Sequence, residues 1–79
     1  MWEVEYSREA ANYLLDSGTY AAGVLRAIEE LMQTADGIPR DGGTQLAPNH
    51  CLWEVAAHVV LYTRLSLDHK LYVTVIKPL

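Results

Sequence analysis

The spacing of the hydrophobic residues changes near the middle of the chain, and this change constrains the fold more than any other feature. Between residues 8 and 33, apolar side chains recur at helical spacing, as on one face of an α-helix. From Cys51 onward they alternate with polar ones, and the segment is rich in the β-branched and aromatic residues that favour strands. A helical half and a β half in one short chain predict a two-layer α+β domain.

The first half of the chain predicts a strand followed by two helices. The opening WEVEYS alternates large apolar with polar residues, which is typical of a half-buried strand. Ser7 can cap a helix that begins at about Arg8, and Gly18 is expected to end it. A second helix is expected from about Thr19, with an apolar stripe that comprises Ala21, Val24, Leu25, Ile28, Leu31 and Met32.

The second half predicts a loop and three strands. Residues 36 to 49 hold three glycines and two prolines, so we expect the one long loop there. Strands are expected at about Cys51 to Val55, His58 to Leu65 and Lys70 to Lys77. The predicted order is β-α-α-β-β-β, with two antiparallel helices on one face of a small, mostly antiparallel four-stranded sheet. With 79 residues, the chain is expected to form a single domain over residues 1 to 79.

The other face of this sheet is expected to be open, and the hairpin register decides which side chains it carries. The residues expected to face the helices are Trp53, Val55, Val59 and Leu61. Those expected on the open face are Leu52, Glu54, His58, Val60, Tyr62 and Arg64. A shift of one residue would exchange the faces, since the Ala56-Ala57 turn has no glycine to define its type.

Exposed apolar side chains on an open sheet face commonly mark a protein-binding surface. An amphipathic helix or an added strand of a partner could be buried there. The candidate partner-binding residues are Leu52, Val60, Tyr72 and Ile76.

Three side chains of the His58 strand have the chemistry for cutting RNA without a metal. His58, Tyr62 and Arg64 are separated by four and then two positions along the strand. Because side chains alternate sides at every residue, all three should emerge on the same side. Imidazole can transfer a proton near neutral pH, a phenol can orient a substrate, and a guanidinium can hold phosphate. They are the candidate catalytic residues. The alternative is a turn histidine, a half-buried tyrosine and a solvated arginine.

The histidines and the one cysteine raise a zinc hypothesis, which their spacing does not support. His50 and Cys51 are neighbours and would point to opposite faces of a strand, and no Cys-x-x-Cys or His-x-x-x-His pattern is present. We therefore expect neither a metal nor a cofactor. A single cysteine, no signal-peptide pattern and no long apolar run predict a cytoplasmic protein without a membrane partner.

The net charge of −4 bears on the kind of partner. Nucleic-acid-binding domains usually carry a basic face, because neutralising phosphates and releasing counterions supplies most of their non-specific affinity. An acidic balance therefore favours a protein partner over RNA or DNA. A domain of this size also gains stability from association, so a homo-oligomer is compatible with the sequence.

The opening WEVEYSREAA, and Leu46 followed by LWEV and then HVVLY, resemble the RelE/ParE toxin superfamily. The resemblance spans about Trp2 to Lys77, and the LWEV segment is similar to the hairpin of the HigB-like branch. Ala56 stands where that branch carries an arginine, and His58-Val59 replaces its tyrosine-arginine pair. The resemblance implies a bacterial toxin of a type II toxin-antitoxin module, with a small antitoxin-like protein as its partner.

The resemblance allows two functions. In the first, the chain is a metal-independent mRNA endoribonuclease, an mRNA interferase that stops translation by acting on ribosome-bound messenger RNA. Arg64 would then hold phosphate, His58 would transfer the proton and Tyr62 would position the nucleotide. In the second, it is a non-catalytic protein of the RelE/ParE fold that acts by protein-protein interaction, inhibiting DNA gyrase or capturing an antitoxin. The net negative charge and the missing arginines favour the second function. The presence of Tyr62 and Arg64, and the frequency of RNA-cutting members in the superfamily, favour the first.

Overall fold

A computed structural model describes residues 1–79 and contains one helical segment and one sheet. The strands are β1 Glu3–Tyr6, β2 Gly43–Ala47, β3 His50–Val55, β4 His58–Leu65 and β5 Lys70–Pro78. The helices are α1 Arg8–Ser17 and α2 Ala22–Leu31, and 3-10 turns occupy Gly18–Ala21 and Ser66–Asp68. The predicted α+β class is confirmed.

The sheet has five strands in the order β1-β5-β4-β3-β2. β1 runs parallel to β5, and the other neighbouring strands are antiparallel. The predicted number of strands is therefore wrong, because β2 lies in the segment that we expected to be loop. Pro39 and Pro48 flank β2 and do not interrupt it, and the strand occupies an edge of the sheet, where nearby glycine and proline are tolerated.

The first helix has the predicted ends. Ser7 caps α1, since its Oγ accepts a hydrogen bond from the Ala10 N–H at 3.1 Å. Gly18 follows the last residue of α1 with a φ of 55°, a conformation that glycine adopts without strain.

The second helix begins at Ala22 and not at Thr19, because the chain first makes a 3-10 turn. The N–H of Trp2 donates to the carbonyl oxygen of Met32 at 2.9 Å, so the end of α2 returns to the start of β1. Neither α-helix is long and apolar enough to cross a lipid bilayer. The residues of the predicted stripe that enter the core are Ala21, Val24, Ile28 and Leu31.

The hairpin between β3 and β4 decides which residues of the sheet meet the helices. Val55 is paired with His58. The turn residues Ala56 and Ala57 have φ values of 53° and 61°, as in the type I′ turns that suit the twist of a two-residue hairpin. Paired residues of antiparallel strands share a face, so His58 lies on the helix side together with Val55.

The predicted faces are consequently right for β3 and wrong for β4. Trp53 is buried under the helical segment, while Glu54 is exposed. On β4, however, the buried side chains are His58, Val60 and Tyr62, whereas Val59 and Leu61 lie on the open face. A two-residue turn puts Val55 and His58 on the same face of the sheet, whereas our prediction put them on opposite faces.

A bulge in β5 changes the phase of the last strand as well. Leu61 is paired with Val75 and Tyr62 with Val73, so Thr74 is the extra residue. Ser7 Oγ donates a hydrogen bond to the Thr74 carbonyl oxygen at 2.6 Å, which ties the bulge to the start of α1. Beyond the bulge Ile76 is only 2% exposed and belongs to the core, not to the open face.

Candidate functional site

His58 is held inside the protein by both of its ring nitrogens. It begins β4 and is 1% exposed. Its Nδ1 lies 2.7 Å from the Ala56 carbonyl oxygen, which can only accept, so Nδ1 carries a proton. Its Nε2 lies 2.7 Å from the Tyr13 hydroxyl and accepts from it in the neutral ring. Neither nitrogen is free to transfer a proton to a substrate.

Tyr62 is held in a similar way. Its side chain is 3% exposed, and its hydroxyl donates to the Gly37 carbonyl oxygen at 2.8 Å. Burial raises the pKa of the Tyr62 phenol well above its usual value, and the neighbouring Cys51 raises the pKa further. The phenol therefore stays protonated at neutral pH and fastens the segment after α2 to the sheet.

Arg64 connects three separate parts of the chain. Its Nε donates to the Asp36 carbonyl oxygen at 2.8 Å, and its Nη1 donates to Asn49 Oδ1 at 3.1 Å. The guanidinium carbon lies 5.8 Å from the centre of the Trp2 ring, within the range of a cation–π contact. Arg64 thus joins the loop after α2, the β2–β3 turn and the residue before β1.

The three candidate catalytic residues do share one side of β4, but that side is the covered one. A general acid or a phosphate-binding group must reach the reacting atoms of the substrate. His58 and the Tyr62 hydroxyl could reach a nucleotide only if the core opened, and Arg64 already has protein partners. In this arrangement all three side chains act as structural contacts.

The open face carries a row of aliphatic side chains across β3, β4 and β5. Leu52 is paired with Leu61, and Leu61 is paired with Val75. All three are partly exposed, and we call them the open-face row. The flanking pairings on this face are polar or mixed: Glu54, Val59 and Lys77 on one side, and His50, Thr63 and Tyr72 on the other.

The predicted partner-binding residues divide between the two faces. Leu52 and Tyr72 lie on the open face as expected, and Tyr72 is 36% exposed. Val60 and Ile76 are 0% and 2% exposed, so their placement on the open face was wrong. Leu61 and Val75 were missed, although a strict two-residue turn would have placed Leu61 correctly from the sequence.

A groove of about 360 Å³ lies between α2 and β3, on the helix side of the sheet. Its apolar lining comprises Ala27, Leu31, Trp53 and Val55, and its charged residues are Glu30, Arg40 and Asp41. The Trp53 indole N–H donates to the Asp41 carbonyl oxygen at 3.1 Å, which holds the loop at this position. The sequence did not indicate this groove, because the path of the loop over residues 36 to 42 forms one of its walls.

The residues of the zinc hypothesis do not form a common site. No group of three or more His, Cys, Asp or Glu side chains is placed to hold a metal ion. His50 Nδ1 lies 3.2 Å from Thr63 Oγ1, while the His69 ring stacks on Trp2 with centroids 4.1 Å apart.

No protein-family model, no curated protein and no solved structure matches this chain. Its candidate functions therefore depend on the geometry described above and on the resemblance in its sequence.

Proposed function

We propose that the chain is the toxin-like component of a bacterial type II toxin-antitoxin module, with a RelE/ParE-like fold, and acts by binding proteins. Its proposed partner is a small antitoxin-like protein in the cytoplasm. The order of β1, α1, α2, β3, β4 and β5 agrees with the resemblance in the sequence, and β2 is an addition at the sheet edge. For a member that does not cut RNA, the resemblance suggests DNA gyrase as the cellular target.

The positions of His58, Tyr62 and Arg64 support binding over cleavage. Removing one transition-state contact from an enzyme costs roughly 10²- to 10³-fold in rate. Here two of the three groups are buried and the third is bonded to Asp36 and Asn49. Together with the net charge of −4, this leaves little support for a nuclease.

The observation that carries the proposal is the uncovered open-face row. Leu52, Leu61 and Val75 lie side by side on three neighbouring strands and remain partly exposed. Neighbouring strands are about 4.8 Å apart, so the row spans roughly 10 Å. That length corresponds to about two turns of an α-helix, so an amphipathic partner helix laid across the strands would bury the row.

The first test measures binding by the small protein encoded beside this chain in its genome. Isothermal titration calorimetry would compare the natural chain with Leu61→Lys, which puts a charge into the row. The matched control is Leu67→Lys, because Leu67 is fully exposed on the turn before β5. Leu61→Ser is a milder change, and circular dichroism would establish that each variant is folded.

We expect Leu61→Lys to weaken binding by roughly tenfold or more, corresponding to about 1.4 kcal/mol, while Leu67→Lys binds as the natural chain does. If folded Leu61→Lys binds the partner as tightly as Leu67→Lys does, or if the natural chain does not bind it, the proposal is contradicted.

The second test separates binding from cleavage. Purified chain would be added to cell-free bacterial translation, and primer extension would reveal cuts in the messenger RNA. We expect intact message, and we expect inhibition of DNA supercoiling by gyrase in a parallel assay. Cuts at ribosome-occupied codons that disappear in Arg64→Ala would establish the nuclease and overturn our proposal.

A further inference from the structure

The groove between α2 and β3 has the size and the lining of a small-molecule site. Its volume of about 360 Å³ lies in the lower part of the range for such sites. Its floor is apolar, because Leu31 and Trp53 belong to the buried core and Ala27 and Val55 pack against that core. The groove therefore suits a small ligand that has an apolar part.

The loop wall of the groove is fixed in place by the sheet. A Cβ added at Gly43 would lie only 2.8 Å from the Pro39 Cγ, so the loop packs closely on β2 at this point. Two residues further on, the Trp53 indole N–H holds the Asp41 carbonyl oxygen at 3.1 Å. Arg40 lies between these two contacts. A wall that is already ordered lowers the entropic cost of binding a ligand.

Three charged side chains line the groove without an ion-pair partner in the chain. Glu30 belongs to α2, whereas Arg40 and Asp41 belong to the loop, and the one ion pair of the structure lies elsewhere. The Thr34 hydroxyl also lines the groove, but it already donates to the Leu31 carbonyl oxygen at 2.7 Å. Two carboxylates and one guanidinium are therefore the charged groups that a ligand can meet there.

The position of Glu30 favours a cationic group on the α2 wall. Glu30 lies in the last turn of α2, which holds no basic residue. The carbonyl groups at the end of a helix form the negative end of its dipole, which adds to the attraction of the Glu30 carboxylate for a cation. Arg40 on the loop favours a carboxylate, because a guanidinium binds both carboxylate oxygens at once.

We propose that this groove binds a small apolar α-amino acid, with its ammonium group on Glu30 and Asp41, its carboxylate on Arg40 and its side chain on the apolar floor. A simple amine would leave Arg40 without a partner, and a simple carboxylic acid would meet Glu30 and Asp41 with like charge. A residue inside a peptide carries neither charge. The site is independent of the proposed function, since it lies on the helix side of the sheet and shares no residue with the open-face row.

A titration of the full ¹⁵N-labelled chain with leucine, followed by NMR, tests the site. We expect saturable shifts of the Trp53 indole N–H and the Arg40 amide, while the Leu61 amide on the open face stays unchanged. The expected Kd is on the order of 1 mM, because so small a ligand offers few atoms for contact.

Two analogues of leucine test the charges of the ligand one at a time. Isoamylamine lacks the carboxylate and isocaproate lacks the ammonium group, so each should bind roughly threefold more weakly or worse. Glycine keeps both charges but has no side chain to cover the floor, and it should also bind more weakly than leucine.

Two variants test the charges of the groove. Arg40→Gln and Glu30→Gln should each weaken leucine binding by roughly threefold or more. The matched controls are Arg26→Gln and Glu29→Gln, which make the same changes on α2 outside the groove and should leave binding unchanged. Arg40→Gln should also leave isoamylamine binding unchanged, because that ligand has no carboxylate for Arg40 to hold.

The inference is overturned if leucine does not shift the Trp53 indole N–H, or if isoamylamine or isocaproate binds as tightly as leucine. It is also overturned if Arg40→Gln binds leucine as Arg26→Gln does, or if it weakens leucine and isoamylamine equally. A failure of partner binding at the open-face row would leave these results unaffected.

Discussion

His58 lies where the β3–β4 turn meets the helical segment. Its ring is 5.5 Å from that of Tyr13 and 5.2 Å from that of Tyr20, measured between ring centres. Only Tyr13 also forms a hydrogen bond with the imidazole. No buried side-chain nitrogen or oxygen in the structure lacks a hydrogen-bond partner, so removing one partner would leave an unsatisfied group.

We expect Tyr13→Phe to lower the free energy of unfolding by about 1–3 kcal/mol, because it leaves the Nε2 of His58 buried without a donor. Tyr20→Phe is the matched control: it removes a hydroxyl from a ring that is 61% exposed, so its expected cost is small. Urea unfolding followed by circular dichroism measures both. Equal losses in the two variants would show that the hydrogen bond to His58 does not contribute to stability.

At the scale of elements, the β3–β4 turn is built from residues that do not favour its conformation. Ala56 and Ala57 have positive φ, which costs a residue with a Cβ about 1–2 kcal/mol relative to the right-handed region. A Cβ added at Gly23 would lie 3.3 Å from the Ala56 Cβ, so α2 packs closely on this side of the turn. Ala57 is exposed and can be changed without disturbing that contact.

Ala57→Gly is expected to raise the free energy of unfolding by about 0.5–1 kcal/mol, since glycine relieves the strain but loses more chain entropy. Ala11→Gly makes the same chemical change inside α1 and should lower it by about 1 kcal/mol. Thermal and urea unfolding would measure both variants. If Ala57→Gly destabilises the chain as Ala11→Gly does, the left-handed conformation of the turn is not a source of strain.

At the scale of the whole molecule, three groups with raised pKa make the free energy of unfolding vary with pH in the alkaline range. Burial raises the pKa of Tyr6, and the nearby Glu29 charge raises it further. Burial also raises the pKa of Tyr62, and the hydrogen bond to Glu5 raises the pKa of Lys70. Each group binds its proton more tightly in the folded chain than in the unfolded chain.

The contribution of these three groups to the free energy of unfolding should therefore be fully present below about pH 9 and fall as the pH rises above about 10, where the unfolded chain releases these protons first. Urea unfolding at a series of alkaline pH values would measure the slope. Tyr62→Phe should make the slope shallower, because one of the protons that couple to folding is gone. A stability that rises over this range, or an unchanged slope in Tyr62→Phe, would contradict the expectation.

The sequence by itself determined the α+β class and several local features. Ser7 and Gly18 set the ends of α1 through local features: a side-chain cap at Ser7 and a positive φ at Gly18. The alternation along β4 likewise established that His58, Tyr62 and Arg64 share one side of the strand. These features were predictable because they depend on neighbours along the chain.

Only the tertiary structure decided which face each strand turns to the helices and where β2 runs. Alternation defines two faces but does not say which one is covered, since that depends on pairing across the Ala56-Ala57 turn. The loop after α2 is held by contacts from β4, namely Tyr62 to Gly37 and Arg64 to Asp36. Such contacts join residues far apart in the sequence, so the local pattern could not show that the candidate catalytic side chains are hydrogen-bonded to other parts of the chain.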